Sequence, residues 1–77
     1  MNLPDTLYLV PVTYPRLGTG SGDITEDFDS AVDDYASHRD AGYPAAVYRL
    51  HPARGDMIDV TDEADALIEA RMKGRAA

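Results

Sequence analysis

The acidic residues of this chain are concentrated in two short blocks, and this arrangement constrains the fold more than any other feature. Twelve of the fourteen Asp and Glu residues lie in residues 23–40 and 56–65. At about 100° per residue of an α-helix, six carboxylates of the first block fall within an arc of about 160°. Their pattern predicts an amphipathic helix with one face in a core. The opposite, apolar arc holds Ile24, Phe28, Ala31, Val32 and Tyr35.

The carboxylates of that helix form a strip whose own arc contains no base. Arg39 is the single base of the block, and Asp29 and Asp33 lie one turn apart. Like charges at this spacing cost a helix a few tenths of a kcal/mol, and solvated faces usually intersperse Lys and Arg. Two interpretations follow, a surface that serves solubility or one that binds a basic partner. The strip consists of Glu26, Asp27, Asp29, Asp33, Asp34 and Asp40.

The spacing of the strip favours one class of partner. From Glu26 to Asp40 the carboxylates cover about 21 Å of helix, or about one charge per 3.5 Å. One strand of B-DNA carries about one charge per 3.4 Å of axis. A basic groove that holds a nucleic-acid backbone is therefore a candidate target. The second acidic block supplies a further patch of Asp59, Asp62, Glu63 and Asp65.

Length and composition limit the remaining choices. Seventy-seven residues are expected to form a single domain, residues 1–77. The net charge of −7 repels nucleic acid and anionic lipid, so neither is expected as a direct ligand. The chain has no cysteine, no basic leader at its start and no apolar run near the roughly 20 residues of a membrane span. These features predict a cytoplasmic protein.

The first half of the chain predicts a strand, a loop and the acidic helix. Residues 7–14 are rich in apolar, β-branched and aromatic side chains, and Pro11 places this strand at a sheet edge or near its own end. The glycine-rich residues 18–22 predict a flexible loop. Thr25 is expected to cap the helix, which ends before Gly42.

The second half predicts a hairpin and a final helix. Residues 45–50 and 57–60 read as antiparallel strands joined by a loop at 51–56, and Thr61 is expected to cap the helix. The predicted class is α+β in the order β-α-β-β-α, a three-stranded sheet with an antiparallel hairpin packed by two helices. The predicted core comprises Leu9, Val12, Ile24, Phe28, Val32, Tyr35, Val47, Leu50, Ile58, Val60, Leu67 and Ile68.

No motif in the chain predicts chemistry. The glycine run lacks the lysine of a phosphate loop, and the acids do not follow the calcium-loop pattern. His38 and His51 have no cysteine, second close histidine or nucleophilic serine beside them. We therefore expect no catalytic residue, no cofactor and no metal, and a protein that is not an enzyme. Tyr14 and Tyr43, at element ends, are candidate exposed contact residues.

In its size, acidity, lack of cysteine and lack of catalytic equipment, the chain resembles the small phage-encoded anti-CRISPR proteins. Those directed at type I RNA-guided complexes are the most similar in character. The resemblance implies binding to the effector and obstruction of its target DNA, sometimes through acidic surfaces that imitate DNA. It covers the whole chain in character and no part in a motif, so it assigns no residue. Other small phage proteins, including inhibitors of restriction or transcription, share this character.

The expected function is therefore an inhibitor that binds a bacterial nucleic-acid-handling complex through its acidic surface, most simply as a monomer. The partner would be a basic protein surface, with no direct contact to nucleic acid or membrane. The alternative is a non-enzymatic adaptor or phage assembly protein. It would bind through an apolar or tyrosine-rich face around Tyr14 and Tyr43 and use its acids for solubility.

Overall fold

The computed structural model describes residues 5–16, 18–21 and 24–76. Asp23 of the first acidic block and Gly22 of the predicted loop lie outside the described residues. Strands β1, β4 and β5 form an antiparallel sheet in the order β1-β4-β5, and β2 pairs with β3. The elements are β1 (Leu7–Leu9), β2 (Pro11–Tyr14), β3 (Gly18–Ser21), α1 (Phe28–Asp40), β4 (Tyr48–His51), β5 (Asp56–Asp59) and α2 (Thr61–Ala76).

The predicted class is confirmed as α+β. The strands of the three-stranded sheet and the two helices follow one another as β1, α1, β4, β5 and α2, which is the predicted β-α-β-β-α order. The hairpin between β4 and β5 is antiparallel as predicted, and Gly55 in its turn has a φ of 69°, a conformation that favours glycine. β1 ends at Leu9 and lies at the edge of this sheet, as Pro11 predicted.

One antiparallel ladder joins residues 7–13 to residues 44–50. β1 pairs with β4, and the same register continues to the bridge between Val12 and Ala45. Because side chains alternate along a strand, this single register decides which residues of both segments face the helices.

Two prolines explain why this ladder is divided into shorter strands. The N–H of Thr13 donates to the carbonyl of Pro44 at 2.9 Å, and that of Ala46 donates to the carbonyl of Pro11 at 3.2 Å. Proline has no N–H, so each of these facing pairs keeps one hydrogen bond where other residues would form two. The predicted strand 7–14 is therefore one extended segment that breaks at Val10.

The predicted flexible loop is wrong for residues 18–21, which form β3. This strand pairs with β2 from Pro11 opposite Ser21 to Tyr14 opposite Gly18. Gly18 has a φ of 78°, which lets the chain reverse directly after β2. Glycine weakens strand propensity but leaves its N–H and C=O free to pair, and the neighbouring strand supplies the partners.

The core lies between the sheet and the two helices. The predictions for Val12, Val32, Tyr35, Val47 and Val60 are confirmed, since all five are buried. Three other predicted residues, Phe28, Leu67 and Ile68, are half-buried and pack against this core. The buried residues also include four that the predicted core omitted, Tyr8, Val10, Ala31 and Ala64.

Four predicted core residues do not lie in the core. Leu9 and Leu50 are half-buried at outward positions of the ladder, because Tyr8 and Arg49 beside them face the helices. Ile24 is 59% exposed because α1 begins only at Phe28 and leaves it outside the amphipathic face. Ile58 on the edge strand β5 is 46% exposed.

α1 begins with an aspartate cap in place of the predicted threonine, and an aspartate two residues before α2 has a similar capping role. Asp27 precedes α1 in extended conformation, and its carboxylate accepts hydrogen bonds from the N–H and the hydroxyl of Ser30. Thr25 instead bridges β1 and accepts from the Asp27 N–H. At α2 the carboxylate of Asp59 accepts from the N–H and hydroxyl of Thr61. Aspartate satisfies the free N–H groups of a helix start as well as threonine does.

Truncation of a core valine tests this packing. Val32→Ala removes two methyl groups from a fully buried site and should lower the free energy of unfolding by roughly 2 kcal/mol. Ile24→Ala, at an exposed site, should cost less than about 0.5 kcal/mol. Urea unfolding followed by circular dichroism measures both. Equal losses would contradict the placement of Ile24 outside the core.

Candidate partner-binding surface

Nine of the ten predicted acids lie on or directly before the two helices, and the tenth, Asp59, lies at the end of β5 on the face that points away from them. Glu26, Asp27 and the acids of α1 form one part, and the end of β5 with α2 forms the other. The helices run antiparallel, because the early residue Asp33 of α1 contacts Arg71 late in α2, while Arg39 contacts Asp65 early in α2. We call this surface the acidic layer: Glu26, Asp27, Asp29, Asp33, Asp34, Asp40, Asp59, Asp62, Glu63 and Asp65.

The first strip has no base on its own arc, but a cation reaches it from the other helix. Arg71 reaches across from α2 and places one guanidinium nitrogen 2.6 Å from Asp33 and the other 3.3 Å from Asp29. The two like charges one turn apart therefore share one cation, which relieves their repulsion. Both carboxylates remain about 70% exposed, so the pairing leaves them accessible to a partner.

Arg39, Tyr35 and Asp65 form a second link between the helices. The Tyr35 hydroxyl donates to Asp65 at 2.6 Å, and Arg39 donates to the same carboxylate oxygen at 2.6 Å and to the hydroxyl at 2.9 Å. Burial raises the pKa of Tyr35, and its hydrogen bond to Asp65 raises it further. The triad uses Asp65 to align the helices, which gives this carboxylate a structural role.

Arg49 connects the sheet to α2. Its guanidinium lies over the rings of Tyr8 and Phe28, at 5.5 and 5.9 Å from their centroids, and donates to the Tyr8 hydroxyl. It also pairs with Glu63 at 3.2 Å. The hydrogen bond with Tyr8 raises the pKa of Arg49, so this residue stays charged throughout the ordinary pH range. Glu63 is thus an anchor of α2 as well as an exposed acid.

The two cap aspartates have lowered pKa values. Hydrogen bonds from the Ser30 side chain and backbone lower the pKa of Asp27, and those from Thr61 lower the pKa of Asp59. Such bonds favour the charged carboxylate, which has the acceptor capacity that the helix start needs. Asp27 and Asp59 therefore serve the fold first.

Asp34 and His38 form a contact within α1, close to Tyr14 at the end of β2. The His38 Nε2 lies 3.2 Å from one Asp34 oxygen, and the ring of His38 meets Tyr14 edge-on at 6.2 Å. The other Asp34 oxygen is buried without a hydrogen-bond partner among the described residues.

Tyr14 also packs on Tyr43 at 5.1 Å, and both are half-buried against the core. These tyrosines are therefore less exposed than was expected of contact residues.

Three acids of the acidic layer take no part in the ion pairs and helix caps described above. Within the described part of the chain, Glu26, Asp40 and Asp62 have no ion pair or hydrogen bond through their carboxylates, and all three are exposed. Residues 24–40 and 59–76 together hold eleven acids against the four bases Arg39, Arg71, Lys73 and Arg75, a net charge of −7. The layer thus remains strongly negative after its internal pairing.

A shallow groove of about 690 Å³ lies between the helices, and its charged lining residues are Asp33, Arg39, Asp40 and Arg71, of which Asp33 and Arg71 pair with each other. Among the described residues, no three His, Asp or Glu side chains converge on a point that could hold a metal ion.

No helix in the described ranges has the length and apolarity to cross a membrane. Comparison with known protein families, characterised proteins and solved structures finds no match to this chain.

Removal of Arg71 tests the cross-helix clamp. Arg71→Gln leaves Asp29 and Asp33 to repel each other and should lower the Tm by about 2–5 °C at low salt. The difference from the parent should shrink in about 0.5 M salt because exposed charges are then screened. Lys73→Gln removes the same charge from an exposed pair with Glu69 and is the control. A low-salt loss no larger than that of the control would refute the clamp.

The cap aspartates predict a pH dependence. Their folded-state pKa values lie below the ordinary 3.8, so the stabilisation they give is complete above that pH and is lost as pH falls through the lower folded values. Asp27→Asn with Asp59→Asn keeps a capping oxygen but cannot titrate. Urea midpoints of this double variant should fall less steeply than the parent's from about pH 5 to pH 2. Parallel curves would exclude the caps as the titrating groups.

Proposed function

We propose that this protein is a non-enzymatic inhibitor that acts in the bacterial cytoplasm. Its acidic layer would occupy the basic DNA-binding groove of a nucleic-acid-handling complex. A type I RNA-guided defence effector is the first choice of target, in keeping with the resemblance to phage-encoded anti-CRISPR proteins. Exposed carboxylates would take the places of DNA phosphates and so exclude the DNA.

The single observation that supports this proposal is the segregation of charge. Residues 24–40 and 60–76, which include both helices, hold ten acids against four bases, whereas Asp59 is the single charged residue at the described outward positions of the sheet. A dipolar distribution of this kind orients the molecule in the field of a basic groove and speeds encounter. Acids used for solubility alone need no such concentration on one side.

The internal ion pairs refine which residues would make the contact. Asp27, Asp59 and Asp65 serve helix caps and the link between the helices, so they contribute potential more than direct bonds. Glu26 and Asp62 are exposed and have no competing partner in the described structure, so a basic side chain would meet them without first breaking a pair.

The alternative, an adaptor that binds through an apolar face around Tyr14 and Tyr43, has less support there because both tyrosines are half-buried against the core. It retains a different apolar surface on the outer side of the sheet. The two functions differ in their dependence on salt: binding through the acidic layer should weaken steeply with added salt, and apolar binding should not.

Charge reversal on and off the layer tests the proposal. The assay is displacement of labelled target DNA from a purified type I effector that carries its guide RNA. Glu26→Lys with Asp62→Lys should weaken inhibition by at least about tenfold, because repulsion replaces attraction at the contact. Asp5→Lys with Asp56→Lys makes the same change in net charge outside the acidic layer and should retain inhibition within about twofold.

Three results would count against DNA mimicry. Equal losses of inhibition in both double variants would mean that only the net charge matters. No loss of inhibition in either variant would mean that the acidic layer is not part of the interface. Simultaneous occupation of the effector by target DNA and by this protein would exclude competition. Affinity capture from a host lysate at low and high salt extends the same test to other basic complexes, including those of restriction and transcription.

A further inference from the structure

The face of the sheet that points away from the helices is apolar and almost free of charge. The ladder register turns Tyr8 and Arg49 toward the helices, so their neighbours along each strand point outward. Among the described outward positions of β1, β2, β4, β5 and the segment before β4, Asp59 is the only charged residue, and it is engaged by Thr61. We call the rest the outer face: Leu7, Leu9, Pro11, Thr13, Pro44, Ala46, Tyr48, Leu50 and Met57.

This composition is unusual for a sheet with helices on one side only. Antiparallel sheets with one solvated face normally alternate apolar residues inside with polar residues outside. Here Leu50 lies between Leu7 and Met57 in one row across the strands, and Leu9 lies beside Tyr48 in the next. Met57 is 63% exposed. A contiguous apolar patch of this kind marks an interaction surface.

We propose that a second copy of this chain covers the outer face, so that two sheets pack against each other and the two acidic layers point outward. The proposal replaces the expectation of a monomer. It goes beyond the proposed function and does not depend on it, because no target takes part in the contact.

The distribution of charge argues for a second copy over a basic partner. A basic protein would be attracted to the acidic layer, on the other side of the molecule, whereas the outer face offers it no counter-charge. A second copy presents the same uncharged surface. Sheets stacked face to face lie about 10 Å apart with helices a further 10 Å outward. The helix axes of the two copies would then be about 30 Å apart, roughly three Debye lengths at 0.1 M salt.

The shape and size of the face fit a symmetric but weak contact. The molecule's smallest dimension is 19 Å, as expected for one sheet with one helical layer and, among the described residues, no element on the other side. The ladder from Leu7 to Thr13 covers about 20 Å, and three strands add about 14 Å of width. This area is smaller than the roughly 800 Å² per partner of a standard interface, which places the contact among the weak, transient ones.

Sedimentation equilibrium of the isolated protein tests the proposal. From about 5 to 500 µM the average mass should rise from 8.4 kDa toward twice that value. The apparent association should strengthen in about 0.5 M salt, because salt screens the repulsion between two chains of charge −7 and leaves the apolar contact intact.

Two methionines provide a matched pair of variants. Met57 on the outer face and Met72 on α2 are 63% and 64% exposed, so Met→Glu at either is tolerated by the fold and changes the charge equally. Met57→Glu buries a like charge on each side of the contact and should weaken the dimer at least about tenfold. Met72→Glu should leave it unchanged. Circular dichroism verifies the fold of both variants, and Tyr48→Glu repeats the test if Met57→Glu unfolds.

Selective dissociation by Met57→Glu supports the proposal. A parent that stays monomeric up to about 500 µM would assign the outer face to another protein and overturn it. Equal effects of the two methionine variants, or a larger effect of Met72→Glu, would place any self-association elsewhere and overturn it as well. Since the measurement contains no effector and no DNA, its result is separate from that of the inhibition assay.

Discussion

The antiparallel ladder between residues 7–13 and 44–50 organises the rest of the molecule. It brings together two segments separated by the whole of α1, and its register turns Tyr8, Val10, Val12 and Val47 toward the helices. A shift of one residue would exchange the inner and outer sets, because strand side chains alternate. The same register therefore creates both the core and the uncharged outer face.

The charged residues take their positions from that core. Arg49 projects from the ladder between Tyr8 and Glu63 and so connects the sheet to α2. The helices are then held to each other by Arg71 and by the triad of Tyr35, Arg39 and Asp65. In a domain this small, where the apolar core supplies limited stability, such links restrict the angle between elements more than they add free energy. The acidic layer is consequently a shaped surface with a fixed spacing of its carboxylates.

The resulting molecule has two dissimilar sides, and they suit different kinds of contact. Charge on the helical side acts at a distance and favours rapid encounter with a basic groove. The uncharged side acts only on contact and favours a complementary apolar surface. A dimer formed through the outer face would present two acidic layers in opposite directions, and would gain avidity wherever a target offers two basic grooves at a matching distance.

The local features of this protein could be predicted from its residues: the helix over most of residues 28–40, the hairpin with Gly55 in its turn, and the acidity of one helix face. These depend on periodicity, turn chemistry and neighbouring residues. Two other features could not be predicted in this way: Arg71 neutralises Asp33 from 38 residues away, and Leu9 and Leu50 point outward. Both depend on long-range pairing. Periodicity shows that a strand or helix has two sides, but the partner segment decides which side is buried.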